Sequence, residues 1–261
     1  MNKTILITGA TSGFGKAIAT RFAQEGYTVC ITGRREQRLA EIKTELEKQY
    51  NVKVITLVFD VRDKTQVADA IGKLKEQVEQ VDILVNNAGL ASGLSGINEG
   101  STDDWDLMID TNLKGLLYVT RQVAPMMTAK ASGHIINIGS TAGKQVYKNG
   151  NVYCATKFAV DALNQAMRID LLSYGIKVTA INPGMAETEF SLVRFKGDTD
   201  RAKKTYEGIK PLKAEDIANI AWFCASLPPH VCINDLTVTC LTQATSVYGI
   251  KEAEKLPPSS K

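Results

Sequence analysis

The chain has 261 residues, 44% hydrophobic and 23% charged, with a net charge of +3. That is enough apolar material for a sizeable core and excludes disordered, collagen-like and coiled-coil chains, while the intermixed signs of its charges do not suggest a nucleic-acid surface. Its two histidines, His134 and His230, lack metal-ligand spacing, and its five cysteines, Cys30, Cys154, Cys224, Cys232 and Cys240, include no C-x-x-C pair, so zinc, haem and histidine-based hydrolysis are all disfavoured.

In chain order, short apolar or β-branched runs predict strands over 4–8, 28–32, 53–60, 82–86, 134–139, 177–182 and 236–241. Between them, segments 16–24, 35–49, 64–80, 104–130, 152–174 and 214–227 have helical length and helical spacing of apolar residues. This alternation implies βαβ units, hence an α/β fold with a parallel sheet covered by helices on both faces. No repeat or linker divides the chain, so residues 1–261 read as one domain. The stretch 183–211 is irregular and too long for an ordinary connector, and is expected to form a lid; the tail 254–261 is expected to fray. The first apolar run meets a glycine turn too soon for a signal peptide or membrane span, and the odd set of cysteines in apolar runs reads as reduced thiols in a cytoplasmic protein.

The first strand leads into Thr8-Gly9-Ala10-Thr11-Ser12-Gly13-Phe14-Gly15, followed by a helix. Strand, glycine turn and helix come in the order a dinucleotide site needs. Gly9, Gly13 and Gly15 let the backbone turn tightly and approach a pyrophosphate, whose charge meets the free N–H groups at the helix start. The second strand ends in Gly33-Arg34-Arg35. An NAD site places a carboxylate near this point; here Gly33 removes it, and Arg34 and Arg35 suit the 2′-phosphate of NADP, with Arg34 the stronger candidate and Ser12 a helper. Asp60 and the amide of Val61, closing the third strand, are expected to hold the adenine edge.

Further along, Tyr153 and Lys157 stand one helical turn apart, and Ser140 sits at the end of the fifth strand, where ligands of such sheets bind. An ammonium near a tyrosine is expected to bring its pKa down from about 10, toward useful proton transfer. With the glycine loop, Asn86-Asn87-Ala88-Gly89, Asn112, Pro183-Gly184 and Thr188, these residues resemble the short-chain dehydrogenase/reductases along nearly the whole chain. The resemblance implies a Rossmann-type three-layer α/β/α sandwich with a seven-stranded parallel sheet. It implies a catalytic tetrad of Asn112, Ser140, Tyr153 and Lys157, in which Tyr153 exchanges the proton, Ser140 bonds the carbonyl oxygen and Asn112 holds a water leading from Lys157 to solvent. It also implies that NADP(H) is flanked by Asn87, Ala88 and Gly89 and wrapped at the nicotinamide by Pro183, Gly184 and Thr188, with Lys157 on the ribose.

Gly139–Gly143, Gly150–Tyr153 and especially Thr188–Asp198 are similar to the NADP-dependent 3-hydroxy acid dehydrogenases and, in the same segments, to sulfoacetaldehyde reductases. Both handle small molecules with an anionic head. Arg194 is expected to clamp that head, helped by Tyr147 and Gln243, although Arg194 could instead pair with Glu189. Lys144 and Lys148 add positive charge nearby, which keeps sulfonate specificity open as an alternative. An alternative of another class is a non-catalytic NADP-binding regulatory protein. Finally, Ala155, Ala159, Ala162 and Ala166 line one helix face, which by spacing alone could pack on its own sheet or on a second subunit; the resemblance favours a homotetramer.

Overall fold

In the computed structural model, which describes residues 3–254, all seven expected runs form strands. They are β1 (Thr4–Ile7), β2 (Thr28–Gly33), β3 (Val54–Val58), β4 (Ile83–Asn86), β5 (Gly133–Ile138), β6 (Ile176–Pro183) and β7 (Asp235–Val238). The sheet is parallel throughout, in the order β3-β2-β1-β4-β5-β6-β7. The order reverses direction between β1 and β4, and ligands of open α/β sheets bind outside the strand ends at such a point. One apolar layer joins Ile5, Ile7, Ile31 and Ile136 to α1 (Gly13–Gln24), α2 (Glu36–Tyr50) and α9 (Ala214–Ser226). The opposite layer joins Leu6, Leu57, Leu84 and Ile135 to α3 (Lys64–Lys75), α5 (Leu116–Thr128) and α6 (Asn151–Asp170). Side chains alternate across each strand, so β1 supplies both layers from neighbouring residues.

Three expected boundaries change. The helix expected over 104–130 is α4 (Thr102–Ile109), a π-helical turn at Asp110–Gly115, and then α5. Local widening of this kind is frequent at functional sites, and here it carries Asn112, whose side-chain amide bonds the backbone of Leu90. The seventh strand stops at Val238 rather than continuing to 241, because the chain folds back through Gln243 N–H to the Cys240 carbonyl (2.9 Å). The lid region is more regular than expected: it holds α7 (Glu189–Arg194), capped by Thr188, and α8 (Thr199–Lys204), capped by Asp198. Its base is pinned by Glu187 N–H to the Leu212 carbonyl and Leu212 N–H to the Met185 carbonyl, 2.9 Å each. Of the tail expected to fray, residues 255–261 lie outside those described.

Candidate active site

A cleft of about 620 Å³ opens along the carboxyl ends of the central strands. Its floor begins with the glycine turn, where Gly9 (φ +65) and Gly13 (φ +52) adopt the left-handed conformation that side chains resist. Ser12, the residue before α1, puts no side chain across the helix start, so the first amides stay available to a ligand. Thr8 locks this turn to the next loop: its hydroxyl accepts from the amides of Asn87 (3.0 Å) and Ala88 (2.9 Å), while Asn87 Nδ2 donates to the Thr8 and Gly9 carbonyls (2.8 and 3.1 Å). Gly15 does not line the cleft; a Cβ there would collide with the Gly9 carbonyl oxygen and come within 2.8 Å of Ala10 Cα, so its role is close packing behind the turn.

At the adenosine end the two arginines line the cleft but are held differently. Arg35 donates from Nε and Nη2 to Thr11 Oγ1 (3.0 and 2.6 Å), from Nη2 to Ser12 Oγ (2.9 Å) and from Nη1 to Glu189 Oε2 (3.0 Å). Arg34 instead projects into solvent, 3.8 Å from Asp60. A Cβ at Gly33 would approach Thr11 Cγ2 to 2.7 Å, so any larger residue there would crowd the turn. Asp60 is less available for an adenine edge than expected. Its carboxylate accepts from the Arg62 side chain at 2.5–3.0 Å, a bond that, against the cost of burial, holds its pKa below the usual carboxylate value. These features fit a phosphorylated dinucleotide: bent glycines without side chains, unpartnered helix-start amides and a polar corner that already holds an anionic group, the Glu189 carboxylate.

At the chemical end Ser140, Tyr153 and Lys157 all face the cleft. Ser140 follows β5, and its Oγ accepts from the Ala142 amide (3.0 Å), which fixes the hydroxyl at the strand end. Lys157 is buried, donates to the Ile138 carbonyl (2.9 Å) and has its pKa pushed down to about 8 by desolvation. Its ammonium lies 6.0 Å from the Tyr153 ring centre. The expected depression of the tyrosine pKa by this lysine is not found. Burial pushes the Tyr153 phenol above its ordinary value, and the opposing influences are a hydrogen bond with Ser140 and the nearby Arg194 charge. At six ångströms from the ring centre the ammonium does not offset the loss of water around the phenol. Asn112 stands one layer behind. Its Oδ1 accepts from the Leu90 amide and its Nδ2 donates to the Leu90 carbonyl (2.8 Å each) and to Thr156 Oγ1 (3.0 Å), beside Lys157.

The lid supplies the third wall. Arg194, the last residue of α7, donates to Tyr147 Oη (2.8 Å) and the Gly93 carbonyl (3.3 Å), with its guanidinium carbon 5.3 Å from the Tyr147 ring centre and 5.6 Å from that of Tyr153. The alternative pairing with Glu189 does not occur, since that carboxylate is bound by Arg35. Among the described residues Arg194 has no ion-pair partner. Gln243 also lines the cleft, but its Oε1 accepts from the Met185 amide (2.7 Å) and its Nε2 donates to the Thr245 carbonyl (3.1 Å), so it braces the Pro183-Gly184-Met185 turn. Lys144 turns away and is held between Asp161 and Asp235 at 2.7 Å each, whereas Lys148 lies exposed at the cleft rim. Phe190, whose ring centre is 5.5 Å from that of Tyr153, and Tyr206, hydrogen-bonded to Ser191 (2.6 Å), complete the lid wall. Neither carried a sequence signal beyond an aromatic near an irregular segment. Of the residues expected at the site, only Gly15 and Asn112 fall outside the cleft lining.

Residues 3–197 match the family described as short chain dehydrogenase. The NADP-dependent 3-hydroxy acid dehydrogenase of Salmonella typhi is 48% identical over 241 residues, which is 92% of this chain and 96% of that protein. Sulfoacetaldehyde reductase 2 of Chromohalobacter salexigens is 45% identical over 251 residues, covering 96% and 99%. Among solved structures, a closed form of serine dehydrogenase complexed with NADP+ matches with a TM-score of 0.88 at 46% identity, covering 95% of this chain and 98% of that one.

Proposed function

The chain belongs to the short-chain dehydrogenase family, and from that premise we propose that it is an NADP(H)-dependent oxidoreductase interconverting a small acid-bearing aldehyde or ketone with its hydroxy acid. The observation that carries this reading is Arg194, a half-buried guanidinium without an ion-pair partner among the described residues, oriented by Tyr147 beside the Tyr153 ring. A cation so placed suits a substrate whose carboxylate binds while its carbonyl reaches Tyr153 and Ser140. Relatives named for 3-hydroxy acids and for serine support the same class.

The cofactor, when bound, supplies the hydride that adds to the carbonyl carbon. Gly9, Thr11, Ser12, Gly13 and Phe14 would cradle its pyrophosphate, Arg34 and Arg35 its 2′-phosphate, and Asp60 and Val61 the adenine side. Asn87, Ala88, Gly89, Pro183, Gly184 and Thr188 would enclose the nicotinamide half. Tyr153, protonated at neutral pH because burial raises its pKa, gives its proton to the carbonyl oxygen. Ser140 donates a hydrogen bond to that oxygen as its charge grows. Lys157 would bond the nicotinamide ribose and lead a replacement proton inward. Because the side-chain amide of Asn112 is engaged with Leu90 and Thr156, the water contact proposed for it falls to its main chain in the π-turn.

One observation favours the sulfonate alternative: Lys148, exposed at the rim, adds a second cation to Arg194. A sulfoacetaldehyde reductase at 45% identity points the same way. The experiment is a panel of NADPH oxidation rates with malonic semialdehyde, sulfoacetaldehyde and neutral aldehydes of equal size, alongside NADP reduction with serine, allo-threonine and isethionate. Anionic aldehydes are expected to exceed neutral ones by at least about tenfold in kcat/KM, the factor that roughly 1.4 kcal/mol of charge-assisted bonding provides. Equal rates for charged and neutral aldehydes would overturn the reading.

We further infer a homotetramer. On α6 the sheet-facing side is Val160, Asn164 and Met167, while Ala155, Ala162 and Ala166 are exposed beside Phe158 and Ile169, the last 75% exposed. Small residues flanked by uncovered apolar ones suit close packing of a second helix. Light scattering at micromolar concentration is expected to give the mass of four chains; a monomer would refute this assembly. The five free thiols, four of them buried, suit the cytoplasm we propose for it, and no helix of the described residues is long and apolar enough to cross a membrane.

A further inference from the structure

Glu189 has no part in the mechanism above, yet it joins two regions far apart in sequence. It begins α7, the lid helix that ends in Arg194, and its carboxylate reaches across the cleft to Arg35 beside the phosphate turn (3.0 Å). The Ser12 hydroxyl also bonds it. Burial pushes the Glu189 carboxyl pKa up, and the bonds from Arg35 and Ser12 more than offset this, so the group is held below its ordinary value as an anion. An internal carboxylate thus occupies the corner that Arg35 and Ser12 form.

We propose that Glu189 is a placeholder for the 2′-phosphate of the cofactor, a lid-borne anion that occupies Arg35 until NADP(H) displaces it and so frees the leading end of the lid. This deepens the reading of the cleft as an NADP(H) site and rests on it. The donor geometry requires the displacement. Arg35 directs its N–H groups to Thr11, Ser12 and Glu189, leaving a single hydrogen on Nη1. A bidentate grip on a phosphate needs two parallel donors. A phosphate bearing up to two negative charges cannot share that corner with a carboxylate without strong like-charge repulsion. Once Glu189 leaves and the Ser12 hydroxyl turns to the phosphate, one hydrogen of Nη1 and the Nη2 hydrogen now on Ser12 form the parallel pair, and Arg34, exposed and held only loosely near Asp60 at 3.8 Å, can turn in as a second cation.

Two consequences separate this role from a merely structural ion pair. The carboxylate weakens binding of every ligand carrying a 2′-phosphate and leaves those lacking one untouched. Ligand binding also loosens the lid at Glu189 while its tethers farther along, Arg194 to Tyr147 and Gly93 and Lys196 to Asp104 at 3.0 Å, remain.

The test is calorimetric titration of the whole protein and of Glu189→Gln with 2′,5′-ADP and with 5′-AMP, which differ only in the 2′-phosphate and carry no nicotinamide. Glu189→Gln is expected to bind 2′,5′-ADP about three- to tenfold more tightly, a modest factor because the pair is partly exposed, and 5′-AMP within about twofold of the unmodified protein. Limited proteolysis in the lid is expected to quicken when 2′,5′-ADP is added to the unmodified protein, and to be fast from the start in Glu189→Gln. Unchanged or weaker binding of 2′,5′-ADP by the variant overturns the placeholder role, as does equal tightening of both nucleotides. If the unmodified protein shows no preference for 2′,5′-ADP over 5′-AMP, the NADP(H) reading of the cleft itself fails.

Discussion

Replacing Tyr153 by Phe is expected to reduce kcat by about a hundred- to ten-thousandfold, the range a positioned general acid contributes, while NADPH binding stays within about twofold. The change removes one hydroxyl from a ring that is otherwise held by packing. Phe190 lies against it at 5.5 Å between ring centres, and Cys154, Ala142 and Met108 surround it in a small apolar cluster. Phenylalanine fills that space equally well, so the fold and the cofactor wall remain. Single-turnover kinetics, alongside a fluorescence titration with NADPH, separate the two quantities. A variant keeping most of its turnover would falsify the assignment of Tyr153, and one that loses cofactor affinity in parallel would make the hydroxyl a binding group. The pH dependence carries a sign as well. Because burial raises the Tyr153 phenol above its ordinary value, the acid form dominates at neutral pH. Reduction, which consumes that proton, is therefore expected to hold level toward alkaline pH, while oxidation, which requires the phenolate, rises with it.

That sign marks the limit of reading the residues in a row. The spacing of Tyr153 and Lys157 is a local fact, and one helical turn brings them to one face regardless of context. Whether the lysine or the surrounding burial controls the phenol is tertiary, since it depends on Phe190 arriving from the lid and on Lys157 reaching back to the Ile138 carbonyl. The same division runs through the cofactor end. Strand, glycine turn and helix are contiguous, so the cradle was readable directly. The different holding of Arg34 and Arg35 is not legible there, because it depends on which guanidinium the backbone brings to Thr11: Arg35, at the threshold of α2, bonds it, while Arg34 stays exposed. Asp60 shows the same division: its place at the end of the third strand is a sequence fact, while the clasp of its carboxylate by Arg62 depends on how the chain turns after it. The strands were legible because β4 and β5 are buried on both faces and so lack polar alternation. The π-turn at Asn112 left no periodic trace, for one inserted residue within a long apolar helix changes the pattern less than ordinary scatter does.

Removing the Arg194 side chain by substitution with Ala is expected to lower kcat/KM for anionic aldehydes by roughly thirty- to five-thousandfold, the effect of breaking a hydrogen-bonded charge pair worth about 2–5 kcal/mol. For neutral aldehydes the loss is expected to stay within about threefold. The asymmetry follows from the geometry: among the described residues the guanidinium donates hydrogen bonds only to Tyr147 and the Gly93 carbonyl, so much of its donor capacity is left for the cleft. Its removal also withdraws a positive charge 5.6 Å from the Tyr153 ring, which raises the phenol further and accounts for the small loss allowed with neutral substrates. Arg194→Lys sharpens the test, because it keeps the charge but not the planar fork that matches a carboxylate bidentately; it is expected to recover part of the lost affinity and little of the selectivity. Tyr147→Phe, which frees the guanidinium to swing, should raise KM for the acid more than it lowers kcat. Equal losses on charged and neutral aldehydes in Arg194→Ala would show that the residue only fastens the lid to Gly93. The anion would then have to be held by some other cation, and Lys148 at the rim is the one whose replacement should be tried next.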